Sequence, residues 1–178
     1  MDILLKFKEK LPLVREWVDE TVAQYQNEAR TTSSYSLRNL SQYFLEETLS
    51  SAKIVEMDKV PVPPLSSIGI SELVNFEKDP KEYDGITLLN TCFLRKVAAK
   101  RPELHFHELV HIVQWQILGV DTFLMVYGIG LLKFGYWKSP LEVMARKYTD
   151  LFQENEPVFN VETLVRSEVN ELLALLKL

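Results

Sequence analysis

Cysteine and histidine are both scarce in this chain of 178 residues. Cys92 is its only cysteine, so an internal disulfide and a four-cysteine zinc site are both excluded. An excess of basic residues is also lacking, because the formal net charge is −5, and this gives no electrostatic footprint for nucleic acid. The length suits one core, and we predict a single domain over residues 1–178 in the reducing cytoplasm.

Long hydrophobic runs are missing as well. Charges interrupt the apolar residues of the first fourteen positions, so we expect no secretory signal there. The most apolar stretch has only eleven uncharged residues between Asp121 and Lys133, against about 20 needed to cross a bilayer. We therefore expect a buried core helix. Because residues 122–137 are apolar nearly all round, contact with a protein or a membrane surface through this segment is the alternative.

Hydrophobic periodicity predicts the secondary structure of the first half. Apolar residues recur at helical spacing over residues 14–25 and again over 37–49, so residues 1–52 are expected to be a helical N-terminal part. Short runs rich in β-formers predict strands near residues 52–60 and over 86–95.

The second half reads as helices with clear boundaries. Pro102 predicts the start of a helix that ends at Gly119. Asp121 is the predicted N-cap of the next helix, and Ser139 and Asn160 are the predicted N-caps of the two helices after that. The predicted fold class is therefore α+β: a mostly helical single domain with a small antiparallel sheet.

All three histidines lie in the window from residue 105 to 111, where His107, Glu108 and His111 match the pattern H-E-x-x-H. Residues four apart on a helix share a face, so His107 and His111 can direct their imidazoles to one point. Glu108 lies about 100° round the helix, where it could reach a metal-bound water without binding the metal. His105 lies about 200° from His107 and should face elsewhere.

Two imidazoles with an open coordination position suit a catalytic zinc ion, which activates a bound water for hydrolysis. Such an ion usually has a third protein ligand, and a carboxylate must supply it here. The downstream candidates are Asp121, Glu142, Asp150, Glu154 and Glu156. Glu142 is preferred because it opens a separate helix, although Ser139 and Glu142 also fit a capping box.

The stretches HELVHIVQW and SPLEVMARKY resemble the zincin metallopeptidases of the gluzincin type, in which a glutamate on a later helix completes the motif. The resemblance implies a metal-site core over residues 85–152 and one zinc ion per chain, with His107, His111 and Glu142 as ligands. It also implies Glu108 as the general base and acid. One departure is Arg146, which stands where thermolysin-like enzymes carry an aspartate.

Four aromatic or polar residues near the motif are further candidates. Tyr136, and less strongly Tyr127, could donate a hydrogen bond to an oxyanion, while Gln114 and Trp115 should pack against or orient the site.

The leading functional hypothesis is a zinc-dependent metallopeptidase acting on a peptide or protein substrate that lies along the strand at 86–95, through a zinc-bound water activated by Glu108. The alternative is a catalytically silent, zincin-like binding or regulatory domain that uses the apolar segment 122–137.

Overall fold

The computed structural model of the chain describes residues 3–32, 35, 39–70, 83–154 and 157–176. These residues form six α-helices and four strands, which confirms the α+β class. The helices are α1 (Ile3–Gln24), α2 (Glu46–Ser51), α3 (Pro102–Leu118), α4 (Val120–Phe134), α5 (Pro140–Gln153) and α6 (Val161–Leu176). The strands are β1 (Arg30–Thr31), β2 (Lys53–Met57), β3 (Gly85–Leu88) and β4 (Thr91–Arg95).

The sheet is mixed rather than purely antiparallel, with the strand order β1-β2-β4-β3. β1 is antiparallel to β2 and β3 is antiparallel to β4, whereas β2 and β4 run parallel. A parallel pair needs a long connection, and the residues between β2 and β3 provide it. The chain therefore reaches the far edge of the sheet first and then returns as β4 beside β2.

The single strand predicted over residues 86–95 is wrong, because this run folds as the hairpin of β3 and β4. Leu88 pairs with Thr91, and Leu89 takes a left-handed conformation with φ 57° in the two-residue turn between them. A leucine is uncommon in that conformation, so the apolar run concealed the turn. Asn90, whose side chain donates to the Ser51 carbonyl, was the local signal for it.

The helical prediction for residues 1–52 holds for α1 but only partly beyond it. Over the predicted helix at 37–49, a short 3-10 turn at Leu40–Gln42 is followed by α2, and residues 37–38 lie outside the described part of the chain. Asn39 has φ 77° and Leu45 is extended, so the backbone leaves the helical region on both sides of that turn. The apolar residues that predicted one helix thus belong to two short elements, the 3-10 turn and α2.

Proline and glycine mark the boundaries of the later helices as predicted. α3 begins at Pro102 and stops before Gly119, which has φ 69°, and α5 begins at Pro140. Asn160 caps α6 by accepting a hydrogen bond of 2.8 Å from the Thr163 amide. The prediction for Asp121 is wrong, because Gly119 occupies the cap position and Asp121 lies in the first turn of α4.

Helix α3 is the centre of the domain. It contacts β3, β4, α2, α4, α5 and α6, and five of its apolar side chains are at most 1% exposed: Phe106, Leu109, Val110, Ile112 and Val113. The Trp115 indole donates a hydrogen bond of 3.1 Å to the Thr87 carbonyl of β3. These contacts hold the histidine motif in a defined place between sheet and helices.

Helix α1 packs chiefly against α4. A Cβ atom on Gly128 of α4 would overlap the Phe7 ring, and Arg15 forms a 2.8 Å ion pair with Asp121. Because Phe7 meets Gly128 and Arg15 meets Asp121, the two helices are antiparallel. No helix in the described residues is both long and apolar enough to cross a membrane.

We predict that Gly128→Ala lowers the free energy of unfolding by about 1–3 kcal/mol, because the added methyl group overpacks against Phe7. Urea denaturation measures the loss. In a Phe7→Ala background the same change should be nearly neutral or stabilising, because alanine favours a helix by about 1 kcal/mol over glycine. Equal losses in both backgrounds would contradict the contact.

Candidate metal centre

Three potential metal ligands converge between α3 and α5. The Nε2 atoms of His107 and His111 lie 3.1 Å apart, and the Glu142 carboxylate approaches them at 3.5 Å and 3.3 Å respectively. One ligand atom from each residue lies within 4.8 Å of the other two, so the group could hold a metal ion. The structure thus brings together the three residues that the sequence nominated as ligands.

The other carboxylates considered as third ligands lie away from this group. Asp121 is exposed and pairs with Arg15, and Asp150 and Glu154 are exposed on α5 and just after it. Glu156 lies outside the described residues.

The capping-box alternative for Glu142 does not describe its contacts. Ser139 is the N-cap residue of α5, but its side chain makes no cap hydrogen bond and its Oγ has no partner within the described residues. The Glu142 carboxylate turns inward instead, where Tyr127 donates to Oε1 at 2.8 Å and Arg146 donates to Oε2 at 3.3 Å. Glu142 therefore belongs to the histidine cluster.

Gln114 orients the imidazole of His111. Its amide nitrogen donates to the Leu141 carbonyl at 3.0 Å, so its oxygen faces His111 and accepts from Nδ1–H at 2.8 Å. A proton on Nδ1 leaves Nε2 as the lone-pair nitrogen of the neutral ring, turned toward Glu142. Gln114 thus selects the tautomer that a metal ligand needs, a role that the sequence indicated only in general terms.

Opposite charges dominate the buried cluster. Burial opposes the charge of His111, but the nearby Glu142 carboxylate outweighs it and raises the pKa of His111 to about 9. Conversely, burial would raise the pKa of Glu142, but the positive charges of His111 and His107 hold it well below its usual value. In the metal-free protein a proton on His111 therefore balances the carboxylate.

Two tyrosines border Glu142. Burial and the Glu142 charge raise the pKa of both Tyr127 and Tyr136 well above the usual value, so both phenols stay protonated donors. The Tyr127 hydroxyl donates a hydrogen bond to the Glu142 carboxylate. Tyr136 lines a cavity beside the histidine cluster. The centroids of the Tyr136 and Tyr83 rings lie 5.3 Å apart, and the Arg146 guanidinium lies 5.9 Å from the centroid of the Tyr136 ring.

Glu108 is buried beside the cluster and is held by β3. Its Oε2 accepts a hydrogen bond of 2.7 Å from the Thr87 hydroxyl. A Cβ atom on Gly85 would overlap its Oε1, so the Glu108 carboxylate occupies the space that glycine leaves free at this position. Gly85 and Thr87 were not among the site residues predicted from sequence. The one signal for them was their small and polar character beside the apolar residues that follow Gly85.

His105 lies apart from the cluster, as the helical geometry predicted. It is buried, and its Nε2 donates a hydrogen bond of 2.7 Å to the Ala99 carbonyl. Burial lowers the pKa of His105, so this ring is neutral at physiological pH and serves packing.

A mostly apolar cavity of about 80 Å³ adjoins the cluster. His107, Glu108, His111 and Glu142 line its polar part, whereas Phe7 and Trp17 of α1 are among its apolar lining residues. Cavities that enclose drug-sized ligands are larger, at about 300–1,000 Å³. Helix α1 therefore covers part of the candidate metal site, and the space beside the site is small.

Comparisons of the chain with models of protein families, with curated proteins and with solved structures give no match.

We predict that Gln114→Met weakens Zn²⁺ affinity about 10–100-fold, because the loss of an orienting hydrogen bond frees the His111 ring. Titration against a chromophoric chelator measures the affinity. Thr149→Val is the matched control, since it also removes a buried side-chain hydrogen bond, from α5 to its own backbone. Equal affinities for both variants would contradict the assigned role.

We also predict that Zn²⁺ affinity rises with pH. Below the His111 pKa of about 9 the ion must displace a proton, so the affinity should increase about tenfold per pH unit from pH 6 to 8. Calorimetry in two buffers of different ionisation enthalpy should show one proton released per ion. A flat profile over this range would contradict the buried ion pair.

Proposed function

We propose that the chain is a zinc-dependent metallopeptidase that holds one zinc ion with His107, His111 and Glu142. The supporting observation is the burial of two imidazole nitrogens and one carboxylate within 4.8 Å of one another. Two neutral nitrogens and one carboxylate oxygen are a known ligand set of catalytic zinc, and they leave a coordination position open. A cytoplasmic location is part of this proposal.

The chemistry divides between the ion and Glu108. When bound, zinc supplies Lewis acidity, which polarises a carbonyl and lowers the pKa of a coordinated water to about 7. Glu108 then acts as the base that accepts a proton and as the acid that returns it to the leaving amine. Thr87 keeps one carboxylate oxygen in place, and Gly85 leaves room for the other.

Tyr136 is the proposed donor to the developing oxyanion. It lines the cavity, and its raised pKa keeps the phenol protonated. The Tyr127 hydroxyl donates to Glu142 at 2.8 Å, so we assign Tyr127 to positioning that ligand.

An extended substrate would add to β3, which is an edge strand and lines the cavity. β4 cannot serve, because it lies between β2 and β3 with both sides paired. The docking strand proposed at 86–95 is therefore restricted to Gly85–Leu88. Because the cavity holds only about 80 Å³ and α1 covers part of it, an extended peptide needs α1 to move before it can bind.

A catalytically silent binding or regulatory domain is the second candidate. Arg146, which stands where thermolysin-like enzymes carry an aspartate, favours it. Its guanidinium donates to Glu142 and so competes for the negative charge that a metal ion would use. The small volume of the cavity, about 80 Å³, favours it as well. Seven of the sixteen residues of the segment 122–137 are buried, all of them in α4, and its large exposed apolar residues are Phe134 and Trp137.

We predict that Glu108→Gln loses peptide hydrolysis by at least about 10²–10⁴-fold while one zinc per chain is retained, because only the base is removed. Mass spectrometry of a mixed peptide library measures hydrolysis, and elemental analysis measures zinc. The library should also be tested with Phe7→Ala, which opens the α1 cover. Glu103→Gln on the same helix is the matched control and should stay active.

Two outcomes would contradict the proposal: absence of zinc from both the purified and the reconstituted protein, or full activity in Glu108→Gln. Zinc binding without hydrolysis, even in Phe7→Ala, would support the binding domain instead.

A further inference from the structure

The connection between α4 and α5 exposes large aromatic side chains. Residues 133–138 read KFGYWK, and we call them the aromatic loop. Trp137 is 75% exposed and Phe134 is 51% exposed. An isolated exposed leucine needs no explanation, but two neighbouring aromatic residues at the tip of one connection indicate a contact surface.

The charges of the aromatic loop are all of one sign. Lys133 and Lys138 are exposed at its two ends, and the Arg146 guanidinium lies 5.4 Å from the Trp137 ring. The nearest acidic residue along the following chain is Glu142, which is buried and turned toward the histidines. The chain as a whole has a net charge of −5, so this basic loop is a local exception.

The antiparallel packing of α1 on α4 places a second apolar residue at the same end of the molecule. Phe7 meets Gly128 and Arg15 meets Asp121, so the N-terminal end of α1 lies toward the C-terminal end of α4. Leu5 is exposed there, followed by Lys8 and Glu9. This end therefore presents exposed apolar side chains, with Lys133 and Lys138 beside the aromatic ones and a Lys8–Glu9 pair beside Leu5.

We propose that the aromatic loop docks on an anionic lipid bilayer. Tryptophan and other amphipathic aromatic rings favour the headgroup region, while lysines beside them are attracted to anionic lipids at about 1 kcal/mol each. Trp137 and Phe134 enter the interface, and Lys133 and Lys138 meet the lipid phosphates. The positive charge of the aromatic loop complements the negative charge of such a surface. The docking does not depend on the proposed peptidase activity.

Docking of this kind has a consequence for the candidate metal centre. Tyr136 lies between Phe134 and Trp137 in the chain and lines the cavity. Docking of the aromatic loop on a bilayer would therefore bring that part of the cavity close to the lipid headgroups. Substrates tethered to a membrane surface would be held near the site.

Vesicle flotation of the full chain tests the proposal. We expect the protein to float with vesicles of equal parts phosphatidylglycerol and phosphatidylcholine, to stay unbound with phosphatidylcholine alone, and to dissociate as salt is raised. Lys133→Glu with Lys138→Glu should reduce the partition coefficient about tenfold or more, because two attractive charges are reversed. Phe134→Ser with Trp137→Ser should reduce it similarly and remove any blue shift of tryptophan emission on binding.

The matched control combines Lys59→Glu with Val97→Ser. These residues are exposed beyond the ends of β2 and β4, and Val97 is 80% exposed, so the control changes charge and apolar surface outside the aromatic loop. It should float like the unmodified chain, and thermal melts should show that all variants are folded. Failure of the unmodified chain to bind anionic vesicles, or equal binding by the loop variants, would overturn the proposal and favour a protein partner for this surface.

Discussion

The Glu142 carboxylate is buried among groups that balance its charge, and the arrangement of the site depends on that balance. An isolated carboxylate in such a place would be neutralised or exposed, because removal of an unpaired charge from water costs several kcal/mol. Here His107, His111, Tyr127 and Arg146 all contact it. The charge thus requires α5 to begin where it does, with its first turn against the histidine face of α3.

A second connection between the same two helices strengthens this requirement. Gln114 accepts from His111 and donates to the Leu141 carbonyl, so one buried amide joins the imidazole to the residue before Glu142. A buried hydrogen-bond network is destabilising when some of its polar groups lack partners, and each member of this network has one. The N-terminus of α5 is therefore held through both its backbone and its carboxylate, which makes the ligand geometry a property of the fold.

The parts of this structure that sequence could predict are the locally encoded ones. The spacing of His107 and His111 follows from the helical repeat, and Pro102 and Pro140 mark helix starts through backbone sterics. Glu142 was preferred among the downstream carboxylates because it opens a separate helix. The contacts of Glu108 with Gly85 and Thr87 could not be found this way, because they join residues more than twenty positions apart that only the hairpin brings together. The turn at Leu89 was hidden because its residue type rarely adopts that conformation.

The cover over the site has a different basis from the site itself. Helix α1 packs chiefly against α4, through apolar contacts such as Phe7 on Gly128 and through a surface ion pair worth at most about 1 kcal/mol. The candidate ligands His107, His111 and Glu142 lie on α3 and α5, which make none of those contacts, although Tyr127 of α4 also donates to Glu142. A movement of α1 would therefore expose the cavity at the cost of its own apolar burial while the charged cluster stays assembled. Access to the metal centre and its integrity are therefore largely separable, because α1 supplies no ligand to the cluster.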